Sequence, residues 1–111
     1  MEYDRSRTPR ISVLAVSPDF EQTQTLLASF VQRYSGGGGE SAGGLYRSTD
    51  GGETWWPATR GLTSLRIQGI TFSPDFIKDQ TIFLTATDTR DDEEVFRSTD
   101  GGQSWIGVES N

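Results

Sequence analysis

The chain of 111 residues has no cysteine and no histidine. It can therefore build no disulfide, thiolate nucleophile, imidazole base or structural zinc site. It also lacks any block of basic residues: 10 lysines and arginines face 16 acidic side chains, for a formal charge of −6. That balance argues against nucleic acid or an anionic membrane as a main partner. No apolar run approaches the roughly 18 residues of a membrane span, and Met1–Arg10 lacks the apolar stretch of an export signal. Membrane insertion is not expected, and the composition leaves the compartment open. Apolar residues are sparse at 32%, rising to about 44% with glycine counted, against roughly 45–50% in ordinary domains. The length suits one small domain with a modest core.

What the chain does have is internal repetition. Ser17-Pro18-Asp19-Phe20 returns 56 residues later as Ser73-Pro74-Asp75-Phe76. Tyr46-Arg47-Ser48-Thr49-Asp50-Gly51-Gly52 returns after 50 residues as Phe96-Arg97-Ser98-Thr99-Asp100-Gly101-Gly102. The difference of six residues points to an insertion in the glycine-rich segment 35–44, expected as a flexible surface loop. The chain divides into an N-terminal extension at 1–10, a first unit at 11–63 and a second at 64–111.

Each unit reads as four short strands. Ile11–Val16 and Ile67–Phe72 are apolar and β-branched, and each ends at Ser-Pro-Asp, where proline removes a ladder donor. Thr25–Val31 and Thr81–Thr87 form the second strand, Leu45–Ser48 and Val95–Ser98 the third, Thr54–Ala58 and Ser104–Val108 the fourth. Asp-Gly-Gly between the third and fourth is a hairpin signal, since tight hairpins need positive φ. No window carries helical periodicity with caps, so the phenylalanine after each Ser-Pro-Asp reads as a core plug and not as a helix start. The fold class expected is all-β.

Two small stacked sheets would leave apolar faces on both outer sides, which soluble chains avoid for patches beyond a few hundred Å². Four-stranded antiparallel units stacked radially form β-propellers of typically ~4–8 blades. The expected architecture is thus two propeller blades, closed by self-association or by further blades of a longer chain. The alternative is a self-sufficient two-sheet sandwich.

The two hairpins resemble the Asp-box (BNR-like) repeat, Ser-x-Asp-x-Gly-x-Thr/Ser-Trp. Its positions here are Ser48, Asp50, Gly52, Thr54 and Trp55, then Ser98, Asp100, Gly102, Ser104 and Trp105. With Ser-Pro-Asp-Phe and Asp79-Gln80-Thr81-Ile82-Phe83, the chain is similar over Ile11–Val108 to bacterial Asp-box, sortilin-like and sialidase-type propeller repeats. The first copy departs in carrying Thr23 where the second has Asp79. The resemblance implies a structural, peripheral role for these box residues, an extracytoplasmic location and a binding function. Physically, each aspartate can accept hydrogen bonds from N–H groups of the turn, and each tryptophan suits a wedge between units.

Sialidases belong among such propellers, so a fragment of a sialidase-like glycoside hydrolase whose catalytic residues lie on other blades is the alternative function. Such a site needs converging arginines, a tyrosine with a glutamate partner and an acid. Arg10-Ile11 matches the start of that pattern, but Ser12 stands in place of its proline. No catalytic residue, cofactor or metal ligand is assigned. Calcium wants 6–8 oxygens where each turn supplies one carboxylate. The acidic run Asp91-Asp92-Glu93-Glu94 reads as a solvated loop, with a weak divalent-cation site as the alternative.

Arg47 and Arg97, each just before a box, read as surface arginines paired with carboxylates or as a potential anion-binding surface. Tyr46 and Phe96 alternate with them and are expected in the core between units, with Trp55, Trp105, Leu26 and Ile82. Trp56, opposite in direction to Trp55, is expected to be a sticky contact for an adjoining subunit or partner. The function expected is non-enzymatic: an assembly and binding scaffold, homo-oligomeric or continued by further blades, for protein or carbohydrate.

Overall fold

The computed structural model describes the backbone of residues 7–34, 40–88, 90 and 92–108, and the side chains in these ranges other than those of 7–9, 31–34 and 40–43. The fold is all-β, built of two four-stranded antiparallel sheets. The first sheet runs in order β1 (Arg7–Val16), β2 (Leu26–Tyr34), β3 (Glu40–Ser48) and β4 (Trp56–Pro57). The second runs β5 (Arg66–Phe72), β6 (Ile82–Thr87), β7 (Glu93–Ser98) and β8 (Ile106–Val108). Every sequential pair is a neighbour, so each sheet is a meander.

The six inserted residues do not make a loop across 35–44. They lengthen the hairpin: β2 and β3 have nine residues each, where β6 and β7 have six. Residues 40–44 belong to β3, which passes the extra length through a bulge between Phe30 and Val31 of its partner. Residues 35–39 lie outside the described ones. β1 lengthens to match, since Arg7, Thr8 and Pro9 of the expected N-terminal extension pair with Tyr34, Arg33 and Gln32. A ladder absorbs pairs of residues without disturbing register further down. A second bulge is common to both units: the register shifts between Ile11 and Val13 in β1 and between Ile67 and Gly69 in β5.

After each Ser-Pro-Asp the chain makes one turn of helix, α1 (Phe20–Thr23) and α2 (Phe76–Asp79). The sequence reading missed this, because four residues are too few to show a 3.6-residue period. The plug reading holds at Phe76, which is fully buried and meets Phe72 edge-on at 4.9 Å. Each turn stops at a glutamine in the left-handed region, Gln24 at φ 53° and Gln80 at φ 54°. The amide side chain of each donates back to the carbonyl of Phe20 or Phe76 at 2.9 and 3.0 Å, which fixes the conformation a β-carbon disfavours.

Strand pairing defines two faces on each sheet. On the front face of the first sheet, Ala15, Leu27, Arg47 and Trp56 lie in one cross-strand row, and Val13, Ser29 and Leu45 in the next. The equivalent rows of the second sheet are Thr71, Phe83, Arg97 and Ile106, then Gly69, Thr85, Val95 and Val108. The rear faces carry Leu14, Ala28 and Tyr46 in the first sheet and Ile70, Leu84 and Phe96 in the second. The core forms where the front of the first sheet meets the rear of the second. Leu27, Leu45 and Ala58 pack there against Ile67, Phe76, Ile82, Leu84, Ala86, Phe96 and Trp105. Full burial of each of these larger side chains contributes about 1.5–3 kcal/mol.

Candidate binding surfaces

The two Asp-Gly-Gly turns close in the same way. Ser48 Oγ donates to Asp50 Oδ1 at 2.8 Å and accepts from the Gly52 N–H at 2.8 Å. Ser98 repeats both bonds with Asp100 and Gly102 at 2.8 Å. Each carboxylate then accepts the backbone N–H of Thr54 or Ser104 at 2.9 Å, and their hydroxyls as well. The glycines take φ of 75° and 98° in the first turn and 75° and 94° in the second, values open to glycine at no steric cost. Each turn also rests on its helical turn, through Gly51 N–H to the Gln24 carbonyl and Gly101 N–H to the Gln80 carbonyl, both at 3.0 Å. The aspartates thus serve the backbone. Bonds from the Thr54 hydroxyl and N–H lower the Asp50 carboxyl to about 2. At Asp100 burial pushes upward, but the hydroxyls of Ser104 and Ser98 and the N–H of Ser104 bring it also to about 2.

Thr23 and Asp79 do the same local work despite their different charge. Thr23 bonds its hydroxyl to Ser17 and accepts the Thr25 N–H. Asp79 accepts from Ser73 Oγ at 2.8 Å and from the Thr81 N–H at 3.0 Å, which together lower its carboxyl.

The tryptophans part company. Trp105 is the expected wedge: it is 3% exposed, and its indole N–H donates to the Ala58 carbonyl of the first unit at 2.9 Å. The linker closes over it, with the Trp105 N–H bonded to the Arg60 carbonyl at 2.9 Å. Gly61, at φ 92°, packs so tightly that a β-carbon would stand 2.0 Å from the Trp105 carbonyl oxygen. Trp55, expected in the same kind of core, folds back on its own turn instead. Its indole N–H donates to the Gly52 carbonyl at 2.9 Å, and the residue stays 37% exposed. Tyr46 and Leu26 are likewise half-buried on the rear of the first sheet, with the Tyr46 ring 5.1 Å from that of Phe30. Phe96 and Ile82 are in the core as expected. The reason is positional: the second sheet covers the front of the first, so large rear-facing side chains reach the shared core only from the second sheet.

The arginines differ for the same reason. Among the described residues Arg47 makes no ion pair with a surface carboxylate. It is half-buried across the second turn, where its Nε donates to the Gly101 carbonyl at 2.7 Å. Burial lowers its pKa, and the nearby Asp100 charge works against that shift. Arg97 lies exposed on the open front of the second sheet. Trp56 is exposed, as is its equivalent Ile106. Trp56 lines a cleft of about 350 Å³ with Arg47, Pro57, Ala58, Gly102 and Gln103, at the seam between units.

A second cleft of about 340 Å³ lies between β1 and β5, lined by Arg10, Ile11, Ser12 and Val13 on one side and Arg66, Ile67 and Gln68 on the other. Arg10 and Arg66 are repeat equivalents by the shift of 56 residues, and the packing of β1 beside β5 brings them to one cleft. The acidic run is not one loop. Glu93 and Glu94 are in β7, and Glu94 accepts from Ser64 Oγ at 2.6 Å. Asp88, just before the run, turns its carboxylate to the N–H groups of Arg90 and Asp92; Asp91 lies outside the described residues. Among the described residues no group of three or more acidic side chains could hold a metal ion, and no helix is long and apolar enough to cross a membrane.

Two apolar surfaces remain. The rear of the first sheet exposes Ile11, Leu14, Val16 and Trp55; the front of the second exposes Phe83, Val95, Ile106 and Val108. Comparison with protein-family models, with curated proteins and with solved structures finds no match.

Proposed function

We propose that the chain is a non-enzymatic assembly and binding scaffold, two Asp-box blades of a β-propeller whose contacts are with protein or carbohydrate. One observation carries this reading. The front of one unit already receives the rear of the next, while the opposite face of each is apolar and open. A repeat with one occupied and one open stacking face is a unit of a longer series. The turn geometry supports the Asp-box reading, since Ser48, Asp50, Gly52 and Thr54 and their second-unit equivalents are engaged in holding the backbone. Ligands would meet the loops and the clefts, and the oligomer or further blades would complete the wheel.

The test is direct incubation of the full chain with fluorogenic sialosides and other glycosides, followed by a screen on immobilised glycans. The scaffold reading expects no turnover, and the screen separates a carbohydrate ligand from a protein one. Turnover by this chain would overturn the scaffold reading. The second reading, a piece of a sialidase-like hydrolase whose catalytic residues lie on other blades, expects no turnover either and is favoured by retention on sialylated glycans alone. That alternative draws on the arginines Arg10 and Arg66 lining one cleft, a starting point for recognising a carboxylate when more arginines converge.

A further inference from the structure

The contact between the two units is a template for a contact the chain has yet to make. In it, the front of the first sheet supplies Leu27 and Arg47, and the rear of the second receives them at the Gly101-Gly102 turn. A β-carbon on Gly102 would stand 3.5 Å from Arg47 Cδ and 3.6 Å from Leu27 Cδ2, so both side chains already lie against that glycine. The open front of the second sheet presents the equivalents Phe83 and Arg97 in the same row. The open rear of the first sheet presents the equivalent turn, Gly51-Gly52, and the equivalent tryptophan, Trp55. Burial marks the difference: Leu27 is 0% exposed and Phe83 41%; Ile67 is 4% and Ile11 61%.

We infer that the partner on these faces is a second copy of this chain, docked head to tail, the second sheet of one copy presenting its front to the rear of the first sheet of the next. This rests on the scaffold reading and gives that scaffold its partner. By the template, Phe83 seats over Gly52 of the next copy as Leu27 does over Gly102. Arg97 donates to the Gly51 carbonyl as Arg47 does to that of Gly101. The Trp55 indole leaves its own Gly52 carbonyl for the Val108 carbonyl of the neighbour, as Trp105 uses Ala58. Charge agrees with the pairing. Arg47 feels the field of Asp100, so Arg97 comes to stand beside Asp50 of the neighbour, an attraction within a chain of net charge −6. Both halves of the contact are on one chain, so it is heterologous and propagates until rotation closes a ring.

The experiment blocks one face at a time. Phe83→Glu spoils only the front of the second sheet and Leu14→Glu only the rear of the first; both sites are exposed, so each variant should keep its β circular dichroism. Val95→Glu and Ile11→Glu, also exposed and equivalent to the buried Leu45 and Ile67, replace either that fails to fold. Each variant alone should run as a single chain of about 12.2 kDa by light scattering. Their mixture should give a one-to-one dimer, because one intact face of each kind remains. A mixture that stays monomeric overturns the inference. So does either variant alone still dimerising, which would mean a face pairs with itself. Failure here leaves the scaffold reading standing, which falls on glycoside turnover instead.

Discussion

The two repeats share turns, the bulge of their first strands, helical turns and strand order, yet the same residue type leads two different lives in them. Trp105 is buried across the seam and Trp55 lies on its own hairpin. Arg47 is locked onto a neighbouring carbonyl and Arg97 is in solvent. Local sequence is nearly identical at both pairs, so the cause is not local. It is which face the other repeat covers. Hydrogen bonds within each turn are set by a few residues and recur; burial is set by stacking and does not.

Breaking the equivalent residues one at a time sharpens this contrast, and the figures that follow refer to the dissociated chain in dilute solution. Trp105→Ala should cost about 3–5 kcal/mol, as for a large aromatic removed from a core, and Trp55→Ala should cost less than about 1 kcal/mol. Urea denaturation of both variants checks it, and equal losses would break the comparison. Gly61→Ala comes next. A β-carbon would collide with the Trp105 carbonyl in a backbone conformation suited to glycine, with an expected loss of roughly 2–4 kcal/mol from strain and overpacking. Its amide exchange should rise along the linker and β8 before elsewhere.

A smaller gap is expected between the arginines. Arg47→Ala removes a charged donor from a half-buried carbonyl, worth about 1.5–3 kcal/mol, while Arg97→Ala should stay within about 0.5 kcal/mol. Paired thermal melts measure it. The smallest contrast concerns acid, where the repeats should behave alike. Asp50 and Asp100 both sit at about 2 when folded, below the roughly 3.9 of an unfolded aspartate. A lowered carboxyl contributes stability that is complete above the unfolded value and drains away as pH falls toward the folded one. The melting temperature should therefore decline between about pH 4 and pH 2, and the double variant Asp50→Asn/Asp100→Asn should flatten that decline. An unchanged slope would show that other carboxylates govern it.

Much of this was legible in the sequence. The repeat spacing located all eight strands, proline ended β1 and β5 where expected, and Asp-Gly-Gly marked both turns. The aspartate of each turn could be assigned to the backbone because its bonds span two to four residues. What escaped detection was either too short or too distant. A one-turn helix leaves no periodic trace, and the segment 35–44, rich in glycine, concealed strand residues that pair because β2 offers a ladder to them. Arg47 and Trp55 could not be placed from their neighbours, since one is fixed by a contact 54 residues away and the other by the lack of the contact Trp105 enjoys. The meeting of Arg10 and Arg66 was available from the repeat shift, but only once β1 was known to lie beside β5.

Absolute molar mass of the unmodified chain across a concentration series, by light scattering on a sizing column, bears most directly on the open faces. The account predicts a mass that climbs from 12.2 kDa to an integral multiple of it. A mass fixed at one chain throughout, with a cooperative melt, would show that the exposed flanks need no neighbour and would contradict it.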